Sequence, residues 1–353
     1  MTTGKRIAVI VHGPEAVDIG LASEIISLAS SFGEVRAAVG GTTAVAAVID
    51  AGLEQVIDIS SRELPSAAIE RASSCSDIVL LVNQGKDRDS SMAFGRLVMS
   101  KITVSIPVLQ VENGSSMLWT GRDDGLEMVQ PFLRSEFLDL RNESPSEIDG
   151  VRVLSGVRPG ENVWINGHVI GRAESSKVVI RQSPNGSLVA EGVRTKPTGI
   201  ERLGCFDIRT AIIRSGHVRR TRAEPRSLIS NGTTACLIDH CAEESLFRCR
   251  DAAYVVTVGD DTSKIASALL YRLGVPVIAI TDGDEDGISF EELLYPGSYL
   301  FRLAPGNDDQ VGAEIAREFF QEGHRVKMKM RIEEMAAKVR AACGERLLWE
   351  RRF

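Results

Sequence analysis

The chain has 353 residues, 43% hydrophobic, 25% charged and 5% aromatic, with a formal net charge of −7. That length holds two or three domains with cores of their own, and the composition is that of an ordinary globular protein. The acidic balance excludes attraction of nucleic acid by bulk charge, no apolar run approaches the roughly 20 residues needed to span a bilayer, and six cysteines over this length are not a disulfide framework.

Met1-Thr2-Thr3-Gly4-Lys5-Arg6 leads straight into a strand without a signal-peptide pattern, so a cytoplasmic, reduced protein is expected. Ile7–Val11 reads as a first strand. A helix is expected from Pro14, whose missing N–H costs nothing in a first turn, to about Phe32, with Gly33 closing it. Strands follow at Val35–Val39, Val56–Ile59, Asp77–Val82 and Val108–Val111, separated by helical stretches and by the polar loop Asn83–Ser91. Strands alternating with helices predict a doubly wound α/β domain with a parallel sheet, assigned to residues 1–118.

From about Trp119 the helical period disappears. Val151–Leu154, Asn162–Ile165, Val178–Arg181 and Leu188–Glu191 alternate as short strands, with turn signals at Pro159-Gly160, Asn166-Gly167 and Asn185-Gly186. A small β domain is expected over 119–205. The α/β rhythm returns with strands Ala235–Ile238, Ala253–Val258, Val275–Thr281 and Tyr299–Leu303, and helices around Glu243–Arg248, over Thr262–Leu273 and over Asp308–Gln321. These define a C-terminal α/β domain, 206–323. The tail, 324–353, reads as helical and as a packing or self-association element.

The candidate site lies where the strand ending at Thr281 runs into Asp282-Gly283-Asp284-Glu285-Asp286-Gly287. Carboxylates at alternate positions repel one another and stay ionised together only when water, a cation or a basic partner offsets the repulsion. In open α/β sheets ligands bind beyond the carboxyl ends of the strands, so Asp282, Asp284 and Asp286 are candidate metal ligands, with Mg²⁺ as the expected ion. Asp239 or Glu243, after the strand at 235–238, and Asp260 or Asp261, after the strand ending at Val258, are candidates for further ligands or catalytic base. Gly259-Asp260-Asp261-Thr262 also follows a strand and opens a helix; Gly259, Asp261 and Thr262 are candidate ligand-binding residues. Two other readings stay open. The run opens like a calcium loop, although Leu293 stands where that loop needs a bidentate Glu. It also suits a solvated acidic turn whose residues start a helix.

Three further groups invite chemistry. The loops Val11-His12-Gly13-Pro14 and Asn83-Gln84-Gly85-Lys86 flank the switch point of a doubly wound sheet, where His12, Gly13 and Lys86 would line an anion site; His12 as a satisfied core histidine is the competing reading. No dinucleotide or Walker glycine pattern is present. Arg214, His217, Arg219, Arg220 and Arg222 form a basic segment in which Arg219 and Arg220 suit phosphates, or equally an interdomain belt of ion pairs. Cys236, His240, Cys241 and Cys249 match no standard metal spacing, and buried cysteine is a common core residue.

The order strand, acid, helix, strand, Gly259, helix, strand, Asp282-x-Asp284 resembles the Toprim domain of topoisomerases, primases and related nucleases. That likeness implies a Mg²⁺-holding acidic motif for phosphoryl transfer, although no Glu-Gly pair follows the first strand. Across most of the chain, Val9-Ile10-Val11-His12-Gly13-Pro14-Glu15, Gly85-Lys86, Phe94-Gly95, Asn166-Gly167-His168-Val169-Ile170-Gly171 and Thr257-Val258-Gly259-Asp260-Asp261-Thr262 are similar to an uncharacterised family of archaeal, mainly methanogen, proteins known as a domain of unknown function. The expected function is Mg²⁺-dependent binding of, or action on, a phosphorylated small molecule or nucleic acid. The alternative is a non-catalytic binding, assembly or regulatory protein of methanogen metabolism.

Overall fold

The computed structural model describes residues 4–41, 43–61, 63–142, 150–183, 186–216, 219, 221, 223–230, 232–239, 249, 251–283, 293–321, 324–327 and 330–353, with the backbone alone at Asp124 and Arg202. They divide into two compact units, Met1–Ala223 and Glu224–Phe353. The expected mixed α/β class is observed in both, with parallel strands in each main sheet. No helix among the described residues is long and apolar enough to cross a membrane.

The first unit opens with β1 (Lys5–Val11), α1 (Pro14–Asp18), α2 (Leu21–Ser30), β2 (Gly33–Val39), α3 (Thr43–Asp50), β3 (Ile57–Asp58), α4 (Pro65–Ser73), β4 (Ile78–Val82), α5 (Arg88–Met99) and β5 (Val108–Val111). The helix expected from Pro14 to Phe32 is two helices, because Gly20 takes the left-handed conformation (φ 81°) between them. β6 (Ser115–Thr120) turns back antiparallel on β5, and β7 (Glu136–Asp139) runs parallel to β6. The sheet order is β3-β2-β1-β4-β5-β6-β7. Ala8 and Ile10 of β1 and Val79 and Leu81 of β4 pack with Ala68, Ile69 and Ala72 of α4 and Val98 of α5. The other residues of β4 are equally buried, which explains its unbroken apolar run. The order reverses at β1, so the loops after β1 and β4 meet at the switch point.

The same unit continues into two small sheets. One has the order β13-β10-β9-β14, from β9 (Asn162–Ile165), β10 (His168–Ala173), β13 (Val193–Thr195) and β14 (Ile213–Ser215); the other joins β12 (Leu188–Glu191), β11 (Val178–Gln182) and β8 (Val151–Leu154). They share a core that includes Val163, Ile165, Ile170, Val178 and Ile180. Asn166 (φ 48°) and Gly167 (φ 83°) make the tight turn between β9 and β10, where Ile165 pairs with His168. Helix α6 (Pro197–Leu203) packs on β10.

The second unit is a six-stranded sheet of order β19-β15-β16-β17-β18-β20. β15 (Thr234–Asp239), β16 (Ala252–Val258), β17 (Val277–Thr281) and β18 (Tyr299–Leu303) are parallel; β19 (Arg325–Lys327) and β20 (Leu347–Arg352) are antiparallel edges. Helix α7 (Asp260–Arg272) packs on β15, β16 and β17. Helices α8 (Asp308–Ile315) and α9 (Ile332–Cys343) contribute Val311, Ile315, Met335 and Val339 to the core on one side of the sheet. The tail is therefore not helical throughout. Gly344 (φ 52°) ends α9, and Leu347–Arg352 then pairs with β18, which places the tail in the sheet.

Candidate metal centre

Parallel strands end at the same edge, and this edge gathers the acids. Val258 of β16 is level with Ile280 of β17, and Ile280 with Phe301 of β18. Gly259 (φ 95°) turns the chain out of β16, so Asp260 becomes the first residue of α7; Asp282 follows β17 directly. After β18, Ala304-Pro305-Gly306-Asn307 brings the chain back, and Asp308 starts α8. Three turns thus deliver one carboxylate each. Oxygens of Asp260, Asp282 and Asp308 lie within 4.8 Å of one another.

The trio is sheltered. Asp282 is 3% exposed, Asp308 8% and the Asp260 side chain 9%. Asp260 Oδ2 accepts hydrogen bonds from the backbone N–H of Asp282 (3.1 Å) and Gly283 (2.9 Å), and its Oδ1 accepts one from Arg302 Nη1 (3.0 Å). Asp282 Oδ2 accepts a short hydrogen bond from Gly306 N, and Asp308 Oδ1 accepts one from Asp309 N (2.8 Å). Two helices, α7 and α8, begin at the cluster, with Asp260 and Asp308 as their first residues. Hard divalent cations take oxygen ligands of this kind. Oxygens within 4.8 Å of one another can share one such ion, with bonds of about 2.1 Å for Mg²⁺ or about 2.4 Å for Ca²⁺.

The proposed ligand Asp282 is in this group, and so is Asp260. Asp261 lies in the first turn of α7 beside the trio, and Thr262 reaches back under the Gly259 turn, where a Cβ on Gly259 would come 3.5 Å from Thr262 Oγ1. Asp239 ends β15, the strand next to β16, and is not one of the three. Asp284, Asp286, Glu243 and Arg220 lie outside the described residues. Asp308 was read only as a helix start. Its signal was present: Gly306-Asn307-Asp308 follows a strand and opens a helix as Gly259-Asp260 does.

The residues proposed for an anion site in the first unit have other partners. His12 donates from Nδ1 to the Gly40 carbonyl (2.7 Å) and stacks on Phe94 (centroids 4.3 Å apart); burial lowers its pKa below the ordinary value. Gly13 (φ 77°) precedes α1, and a Cβ there would lie 3.6 Å from Glu15 Oε2. Lys86 donates to Glu161 Oε2 (2.6 Å), Ser215 Oγ (3.0 Å) and the Gly156 carbonyl (3.2 Å), tying the loop after β4 to the two small sheets. Arg219 lies between Asp18 and Asp50, whose side chains are 6% and 1% exposed, and donates 2.5 Å to Asp50. Arg214 covers the Trp164 ring at 4.7 Å, and burial brings its guanidinium down to about 10.

Glu112, which no sequence motif singles out, is 3% exposed just beyond β5. It accepts hydrogen bonds from Asn83 Nδ2 (2.7 Å), Gly85 N (3.1 Å), Ser91 Oγ (2.5 Å) and Gln110 Nε2 (2.7 Å), which fixes the loop at the switch point.

A doubly wound sheet, two small β sheets and a second α/β unit with acids at its strand ends define the class: an α/β architecture carrying a cluster of three acids that could hold a metal. Residues 9–323 match DUF2117, described as "uncharacterized protein conserved in archaea", and the chain belongs to that family. It is 35% identical over 329 residues to an uncharacterized protein of Methanocaldococcus jannaschii, covering 87% of this chain and 89% of the relative.

Proposed function

We propose that the second unit binds a divalent cation, Mg²⁺ in the cell, through Asp260, Asp282 and Asp308, and that the cation holds the phosphate of a nucleotide or other phosphate-bearing ligand. The observation that carries this is the convergence of three sheltered carboxylates from three consecutive strand ends, with oxygens within 4.8 Å. Three negative charges so close and so poorly hydrated favour a cation between them. Mg²⁺ held by few carboxylates keeps open positions that phosphate oxygens fill. The position of Asp282 supports the likeness to Toprim domains. A transfer step would further need a base beside the cation, for which Asp239 at the end of the neighbouring strand is the candidate.

The test is thermal unfolding of the full chain with Mg²⁺, Mn²⁺ or Ca²⁺. At a hundredfold excess of cation over Kd, binding to the folded state adds about 2.7 kcal/mol, a clear rise in Tm. Asp282→Asn and Asp308→Asn should each abolish the rise, and a nucleotide should bind the wild type only when Mg²⁺ or Mn²⁺ is present. No metal-dependent rise in the wild type overturns the proposal.

A second function is favoured by one observation: each acid already accepts a hydrogen bond from an N–H donor. In a non-catalytic binding or regulatory protein the trio would simply lock three turns together. Its signature is destabilisation by the same asparagine substitutions with no response to metal.

A further inference from the structure

Strand β18 divides its side chains between the two faces of the second unit's sheet. Tyr299, Phe301 and Leu303 lie in the core shared with α8 and α9, so alternation turns Leu300 and Arg302 to the other face. Its neighbour β20 divides in the same way. Glu350 pairs with Phe301 and Arg352 with Tyr299 on the α9 side; Trp349 pairs with Arg302 and Arg351 with Leu300 on the other. Ion pairs agree with this division. Arg340 of α9 donates to Glu350 (2.6 Å), and Arg352 donates to Glu333 of α9 (3.1 Å). The one acid of β20 is thereby engaged on the α9 side. The opposite face receives Trp349, Arg351 and then Phe353, whose N–H still donates to the Ser298 carbonyl (3.0 Å).

Cation and ring alternate along this row. The Arg302 guanidinium lies 5.9 Å from the Trp349 ring centre, and that of Arg351 lies 5.1 Å from the ring centre of Phe353. Trp349 is 46% exposed and is not among the residues that build the core. Arg351 is exposed and Phe353 half-buried. At the near end Arg302 also donates to Asp260 Oδ1 (3.0 Å), so the row starts beside the metal centre.

From this alternation we propose that the face of β20 turned away from α9 binds single-stranded nucleic acid. Bases stack on Trp349 and Phe353, and Arg302 and Arg351 take the phosphates. Every base offers a π face and every backbone unit a negative charge, so alternating rings and guanidinium groups repeat the chemical order of the polymer. The two rings stand four strand residues apart, about 14 Å, which suits bases splayed from one strand. A duplex keeps its bases stacked on each other and offers the row only phosphates. The net charge of −7 gives no general attraction, so binding rests on this local row. It needs no cation and stands apart from the metal centre.

The test is titration of the full chain in EDTA at low salt with short oligothymidylate, with oligouridylate, and with oligothymidylate annealed to its complement, read by tryptophan fluorescence. Both single strands should quench and the duplex should not; the tighter single strand tells whether DNA or RNA is the occupant. Trp119 and Trp164 are only 7% and 5% exposed, so the quench reports Trp349. Trp349→Ala should remove it and weaken binding of a labelled strand about 5- to 150-fold, while Trp349→Phe keeps most of the affinity. Arg351→Ala should lower the slope of log affinity against log salt by about 0.7. The proposal is overturned if the duplex binds as well as the single strands, if Trp349→Ala binds like the wild type, or if uridine monophosphate binds as tightly as oligouridylate. Binding that appears only with Mg²⁺ or Mn²⁺ belongs to the metal centre and overturns it too. So does a dimer in sedimentation that Trp349→Ala dissociates, which gives this face to a second copy of the chain.

Discussion

Replacing Glu112 with alanine should be among the most damaging single changes in the first unit, because four uncharged donors converge on its carboxylate. Its carboxylate accepts four donors in a buried site. Two of them have a second acceptor: Ser91 Oγ also donates to the Asp87 carbonyl (2.9 Å), and Gln110 Nε2 to the Ser91 carbonyl (3.1 Å). The Asn83 amide and the Gly85 N–H would lose their acceptor. Each buried donor left without one costs about 1–3 kcal/mol, so the loss should be about 2–6 kcal/mol, to which the cavity adds. The assay is urea denaturation, comparing midpoints at unchanged slope. Hydrogen exchange at the Gly85 amide should accelerate more than at the amides of β1, because the loop loosens before the sheet. A loss below about 1 kcal/mol, or unchanged exchange at Gly85, would refute the claim that this carboxylate holds the loop at the switch point.

Lys86→Met should cost about 2–3 kcal/mol at neutral pH, since Lys86 and Glu161 are only 14% and 15% exposed and the carboxylate would remain without its partner. Burial works against ionisation of Glu161, but hydrogen bonds from Lys86, Arg158 N and Ser215 outweigh it and hold the carboxyl below its ordinary 4.5. The unfolded group therefore takes up its proton first as pH falls. The contribution is complete above about pH 4.5 and is lost as pH drops through the folded pKa. A denaturation series from pH 7 to 3 should show this acid loss in the wild type and a flatter profile in Lys86→Met; identical slopes would contradict it. Gly95→Ala places a Cβ 2.2 Å from Trp119 Cζ2 and 2.4 Å from Gln110 Oε1. Overpacking of about 1–3 kcal/mol should outweigh the gain of up to about 1 kcal/mol in helix propensity. Trp119 donates to Gln110 Oε1 (3.1 Å), so its near-ultraviolet circular dichroism should change with stability; a stabilised variant with an unchanged spectrum would count against this packing.

Much of the architecture was legible in local patterns. The apolar run in β4 announces a strand covered on both faces, and Asn166-Gly167 between alternating segments announces a hairpin. Pro14 and Pro65 each sit at a helix start. These features rest on near neighbours in the chain. The split at Gly20 was harder to see, because glycine does not declare its sign of φ. Leu347–Arg352 was read as helix because its strand character comes from pairing with β18, a partner far away in sequence.

The candidate site divides in the same way. That Asp260 and Asp282 stand at strand ends follows from the local pattern alone, since Gly259-Asp260 and Asp282-Gly283 each pair an acid with a turn residue just past an apolar run. That Asp308 completes the set, that Lys86 answers Glu161 and Arg219 answers Asp18, and that Arg302 meets Trp349 depend on how strands are ordered and where the chain returns. Local sequence determines which element a residue belongs to and which end of it the residue occupies. Which side chains then share a few ångströms is decided by strand order and crossover, through long-range burial that no short window of residues contains.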